Sequence, residues 1–128
     1  MGALIDTTVV IDLANGDQAA VDFCNTLLQQ SGLIYISTIT AMEVFVGAQR
    51  KRELNYLTEL ISIFRPIKMT EEISDIALGL MKKYRLAHGL SIPDALIAAT
   101  GLVENLVLYT HNLKHFRHIA QLDVQRPY

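Results

Sequence analysis

Short apolar runs alternate along this chain with longer stretches of helical period, and that alternation leaves few folds open. Ala3 to Asp6 is an apolar run closed by polar residues and reads as a buried strand. Leu33 to Ser37 and Leu106 to Thr110 read the same way. Pro66 to Met69 is a brief extended piece, and Val124 to Arg126 a last short strand. Helices are predicted between them: Thr7 or Thr8 to Leu13, Asp17 to about Gln30, Thr40 to Ala48, Lys51 to Phe64, Glu71 to Ala87 and Pro93 to about Glu104, with a single turn from Leu113 to His118. In Lys51 to Phe64, the residues Leu54, Leu57, Ile61 and Phe64 recur at threes and fours, one face of a helix. Ile73, Ile76, Ala77, Leu80 and Tyr84 do the same in the next helix, which Gly89 ends. Pro93 suits a first helical turn. Strands separated by helices need crossover connections, so the expected fold is α/β: a short, mainly parallel sheet of four to five strands with helices on both faces. Ligands gather at the carboxyl ends of such strands, where Asp6 and Thr110 are expected.

A chain of 128 residues reads as one domain, residues 1–128, large enough for a real core. Half of it is hydrophobic (51%), more than a small core needs. The surplus is expected to be interface surface, so an oligomer or a permanent partner is anticipated; a heavily apolar α/β core is the other reading. A net charge of -2 removes any global basic field. Phosphate binding would then fall to a metal or to local patches: Arg50-Lys51-Arg52, Lys82-Lys83-Tyr84-Arg85, or Lys114 with Arg117 and His118. Each patch also reads as a solvated helix face. The lone Cys24 excludes an internal disulfide and reads as a small packing residue. The opening stretch lacks a basic leader and is broken by Asp6 and Asp12, and no apolar run reaches membrane length. A cytoplasmic protein without membrane contact is expected.

Three acids stand at the ends of apolar segments: Asp6, Glu43 and Asp94. Carboxylates are costly to desolvate there unless something positive meets them, and a hard cation such as Mg²⁺ or Mn²⁺ suits oxygen donors. Each acid also has a plain structural reading. Asp6 could cap the helix after it. Glu43 lies three residues after Thr40, and Asp94 three after Ser91, the spacing of capping boxes. Together, at strand ends and helix starts, they form the arrangement that divalent-metal hydrolysis of phosphodiesters needs.

Four segments in order carry a resemblance: Leu4-Ile5-Asp6-Thr7-Thr8, then Ser37-x-x-Thr40-x-x-Glu43, then Pro93-Asp94-Ala95-Leu96-Ile97-Ala98-Ala99, then Leu108-Tyr109-Thr110-His111-Asn112-x-x-His115-Phe116. With these spacings and this length the chain resembles the PIN-domain family, most of all the VapC-type toxins of bacterial toxin–antitoxin pairs. The resemblance implies a three-layer α/β/α sandwich and a Mg²⁺- or Mn²⁺-dependent endoribonuclease. Asp6, Glu43 and Asp94 match the family's first three metal-site acids. Thr8, Thr110 and Asn112 match the polar residues that hold them. Asp12 is expected to be a solvated or paired acid on the first helix. His115 departs from the pattern: it stands where many relatives carry Asp. Three readings stay open for it, namely ligand, proton shuttle or bystander beside Phe116.

The resemblance further implies an RNA substrate, single-stranded or looped, cut to leave 5′-phosphate and 3′-hydroxyl ends. It implies an antitoxin over the acidic cleft, a homodimer, and a hetero-oligomer with that antitoxin. Val44, Phe45, Leu54, Leu57, Ile61 and Phe64 are the candidates for those surfaces, about half of them expected inside the protomer. The alternative is a non-catalytic PIN domain that binds RNA or protein, which the His at 115 favours and the three retained acids oppose. A phosphatase acting on small substrates lacks a nucleophile motif here.

Overall fold

The computed structural model describes every residue from Met1 to Tyr128. Five short strands form one sheet: β1 (Ala3–Ile5), β2 (Tyr35–Ser37), β3 (Arg65–Ile67), β4 (Val107–Tyr109) and β5 (Val124–Gln125). Their order is β3-β2-β1-β4-β5, and every neighbouring pair is parallel. The helices between them are α1 (Thr7–Ala14), α2 (Gln18–Ser31), α3 (Thr38–Val46), α4 (Lys51–Ile61), α5 (Glu71–His88), α6 (Ile92–Glu104) and α7 (Leu113–Phe116). β1 is central, set against Tyr35 of β2 through Leu4 and against Val107 to Tyr109 of β4 through Ala3 to Ile5. Pro66, which has no N–H to give a ladder, sits in the outer strand β3.

The twofold alternation of a strand splits the core into two layers. Ala3 and Ile5 face a cluster with Val9, Val10, Cys24, Ile36, Val44 and Phe64, the side of α1 to α4. Leu4 and Leu108 face the other cluster, built from α5, α6 and α7 with Ile73, Leu80, Ile97 and Phe116. The three-layer sandwich expected of the sequence is therefore present, with its sheet parallel throughout.

Element boundaries moved by one to three residues, and one start had a different cause. α3 begins at Thr38 because Ser37 caps it, its hydroxyl accepting from the Ile39 N–H at 3.3 Å. Thr40 is thus inside the helix and fully buried, so the Thr40–Glu43 capping box does not exist. α4 stops at Ile61, short of Phe64, which packs into the core by itself. On α5 the inward face is Ile73, Ala77, Leu80 and Tyr84, while Ile76 is left on the exposed side. α6 is buried over Ala95 and Ile97 to Gly101, as its all-round apolar composition required. No helix is long and apolar enough to cross a membrane.

Candidate active site

Asp6 follows the last residue of β1, and Thr110 follows the last residue of β4, the adjacent strand. Both lie at the carboxyl edge of the sheet. Asp6 occupies the N-cap position of α1, but its side chain caps nothing. It accepts instead from the Thr110 hydroxyl at 2.7 Å and from the Thr8 hydroxyl at 3.2 Å, both on Oδ2. Thr110 in turn accepts from the Asn112 backbone N–H at 3.0 Å. Asn112, expected to hold an acid with its side chain, therefore contributes through its backbone.

Glu43 reaches the same edge from α3, which packs against both α1 and α6. Its Oε1 lies 2.8 Å from the Thr7 hydroxyl, and that hydroxyl lies 3.0 Å from the Thr40 hydroxyl. Thr7 has one proton to give and a carboxylate is the stronger acceptor, so Thr7 donates to Glu43 and accepts from Thr40. Sequence reasoning missed both threonines. Thr7 stood beside the Thr8 that was chosen. Thr40 and Glu43 share a helix face three residues apart, the spacing first read as a cap.

Asp94 sits in the first turn of α6, where the Ser91 hydroxyl accepts from its backbone N–H at 3.2 Å, half of the expected capping box. Its Oδ2 lies 3.3 Å from His115 Nδ1. His115 is thus drawn to an acid as well as standing beside Phe116, its ring centroid 6.5 Å from that neighbour's. Desolvation lifts the Asp94 pKa above the ordinary carboxylate range, and the negative charges of Asp6 and Glu43 add to the rise; His115 and Ser91 pull the other way. The three acids are close enough to feel one another. Asp12 stands apart, accepting from the Tyr128 hydroxyl at 2.8 Å with His111 Nε2 at 3.9 Å, the paired acid that was anticipated.

The donor chemistry suits a hard cation. Asp6 is held through Oδ2 and Glu43 through Oε1, while Asp94 has His115 beside Oδ2; the second oxygen of each carboxylate has none of these contacts. No three His, Cys, Asp or Glu side chains are drawn together tightly enough to share an ion. Cys24 takes no part: it is buried, and desolvation pushes its thiol up to about 11.

Known proteins share this plan. The PIN domain family model matches residues 3–122. Ribonuclease VapC19 of Mycobacterium tuberculosis is 35% identical over 126 residues, covering 98% of either chain. Ribonuclease VapC10 of the same organism is 34% identical over 120 residues, 93% of this chain and 89% of that one. Among solved structures, a toxin–antitoxin complex from Klebsiella pneumoniae contains a chain 33% identical, with a TM-score of 0.79 over 99% of this chain and 98% of that one. VapBC2 from Rickettsia felis, bound to a DNA fragment from its promoter, superposes with a TM-score of 0.83 over 98% of both chains at 22% identity, a likeness of fold. A five-stranded parallel sheet, acids at its carboxyl edge and a family match across nearly the whole length agree: this chain belongs to the PIN-domain family, VapC type.

Proposed function

We propose that this chain is a divalent-metal-dependent endoribonuclease, the toxin of a type II toxin–antitoxin pair. The observation that carries the proposal is the convergence of Asp6, Glu43 and Asp94 at one sheet edge, in a chain 35% identical to a ribonuclease. Asp6, Asp94 and Glu43 would hold Mg²⁺ or Mn²⁺. A divalent ion in such a site supplies Lewis-acid stabilisation of phosphate charge and a water made more acidic.

The chain's own residues do the rest. Thr110 and Thr8 fix the Asp6 carboxylate from one side, so it keeps its orientation when an oxygen of RNA arrives. Thr7, backed by Thr40, fixes Glu43 through Oε1 and leaves its other oxygen free of that bond, available to take a proton from an attacking water. His115 bears on the Asp94 oxygen that faces it, limiting that side chain's freedom. The 5′-phosphate and 3′-hydroxyl products follow from attack of water at phosphorus with departure of the 3′ oxygen.

Toxin–antitoxin complexes among the structural neighbours support an antitoxin as partner in a hetero-oligomer; a homodimer within it and a place in the cytoplasm complete the proposal. Of the six apolar residues considered for those surfaces, Val44, Leu57 and Phe64 are core, while Leu54 is exposed and Phe45 and Ile61 are half-buried. Met42 and Val46, both exposed on α3, extend that face. The test is cleavage of a mixed RNA by partner-free protein, with Mg²⁺ and Mn²⁺ titrated and Asp6→Asn and Asp94→Asn alongside. Cleavage that needs the ion and falls to background in both variants is expected. Folded wild-type protein that cuts no RNA with either ion would shift the reading to a binding module.

A further inference from the structure

His88 and His118 are stacked. Their ring centroids are 3.9 Å apart and their planes 7° from parallel. Tyr84 meets His118 edge-on at 4.9 Å, and its own hydroxyl is pinned by the Ala120 N–H at 3.1 Å. The outer ring of this stack, His88, is exposed. It lies on the wall of a cavity of about 190 Å³ whose other walls are Gly89, Leu90, Ser91, Asp94 and His115. That is several times the space one water needs, the scale of one flat heterocycle. The lining therefore joins a site acid at one end of the His88–Asp94 segment to a flat ring, already stacked on His118, at the other.

The loop between those ends is fixed. Arg85 donates from one guanidinium nitrogen to the carbonyls of Gly89 and Leu90, at 3.1 and 3.2 Å. Gly89 takes the left-handed conformation, φ 66°, that ends α5 and turns the chain toward α6. The Ser91 hydroxyl accepts from Asp94 N–H and keeps its own proton to give.

We infer that this cavity is a subsite for one unpaired base of single-stranded RNA, stacked on His88, beside the phosphate that lies at Asp94. Stacking on an aromatic or imidazole face is how proteins hold unstacked bases, and it tolerates sequence. The chain has no Trp, and the nearest buried tyrosine, Tyr84, serves as support for the stack. A ring fixed in advance by His118 loses little freedom when a base arrives. Ser91 is placed to donate to a base acceptor. The inference deepens the nuclease reading and rests on it in taking RNA as the ligand and Asp94 as the place of its phosphate.

Its test is binding, separate from cleavage. Anisotropy of labelled single-stranded oligoribonucleotides is measured in chelator with the full chain, for wild type, His88→Ala, His88→Leu and His88→Tyr. A second oligonucleotide series carries one abasic position in turn. His88→Ala is expected to weaken binding from about fivefold to a hundredfold, the range for one stacked base. His88→Tyr should stay within about twofold of wild type, and His88→Leu should behave as the alanine variant. One abasic position should cost wild type as much as the alanine change and cost the alanine variant nothing further. Unchanged binding by folded His88→Ala, equal binding by the Leu and Tyr variants, or no RNA binding at all overturns the subsite. If RNA binds with the His88 signature but no ion supports cleavage, the subsite stands and the nuclease reading fails. Cleavage with no effect of His88 on binding gives the reverse.

Discussion

Threonine hydroxyls decide how the acids of this site stand. Asp6 carries two of them and Glu43 one, and the Glu43 donor is buried between two elements that meet only in the folded chain. Thr7→Val removes that donor while keeping the side chain's shape. Mn²⁺ affinity by calorimetry, or cleavage rate, is expected to fall about 10- to 100-fold, the usual cost of losing a group that orients a ligand. His118 offers a prediction in pH. Burial, then the charge of His88, hold its imidazole below the ordinary value of 6.5; the Lys114 backbone pulls it up, and the charge of Arg117 adds a last, smaller downward push. The unfolded chain therefore binds the proton more readily, and His118's contribution to stability is complete above about pH 6.5 and is lost as pH falls through that value toward the lower folded pKa. Melting temperatures should drop across that window in wild type, and His118→Phe, which keeps a ring and cannot titrate, should show a flatter profile.

At the scale of elements, α5 carries one position that nothing in the fold requires. Gly79 lies in mid-helix, and a Cβ built there meets no atom within 4 Å. Gly79→Ala should stabilise the protein by about 0.5–1 kcal/mol, read as a higher denaturation midpoint with unchanged RNA binding. Elements were the most legible part of the sequence. Apolar runs such as Leu106 to Thr110 announce buried strands, and residues such as Asp17, Gly32, Gly89 and Pro93 mark helix ends by their own chemistry. The acids were legible too, because carboxylates at apolar segment ends are conspicuous. What stayed hidden was pairing across distance. That Thr7 would meet Glu43, that His88 would lie flat on His118, and that Tyr128 would reach Asp12 depends on which helices become neighbours, and no local pattern states that. The start of α3 was misplaced for a related reason: Ser37 and Thr40 are both able to cap, and only the sheet edge at Ser37 chooses between them.

The whole molecule places its most polar point where its most separated strands join. β1 and β4 lie side by side at the centre of the sheet, and the bond from Thr110 to Asp6 spans 104 residues of chain. Around them the apolar surplus of the composition divides as anticipated: part forms two dense layers, and part remains outside, with Leu86, Val46, Ile92 and Leu78 well exposed. Such surface suits a protein that spends its time in company. The long closure has a consequence for how the chain is made. A ribosome extends a chain from its amino end, so Asp6, Glu43 and Asp94 emerge before the strand that brackets the first of them. Until β4 has been synthesised and has slid in beside β1, Asp6 has no Thr110 to hold it. Whatever this cluster does to RNA, it does only once β4 has been made, so the stretch of messenger that encodes its three acids is read before the site in its product exists.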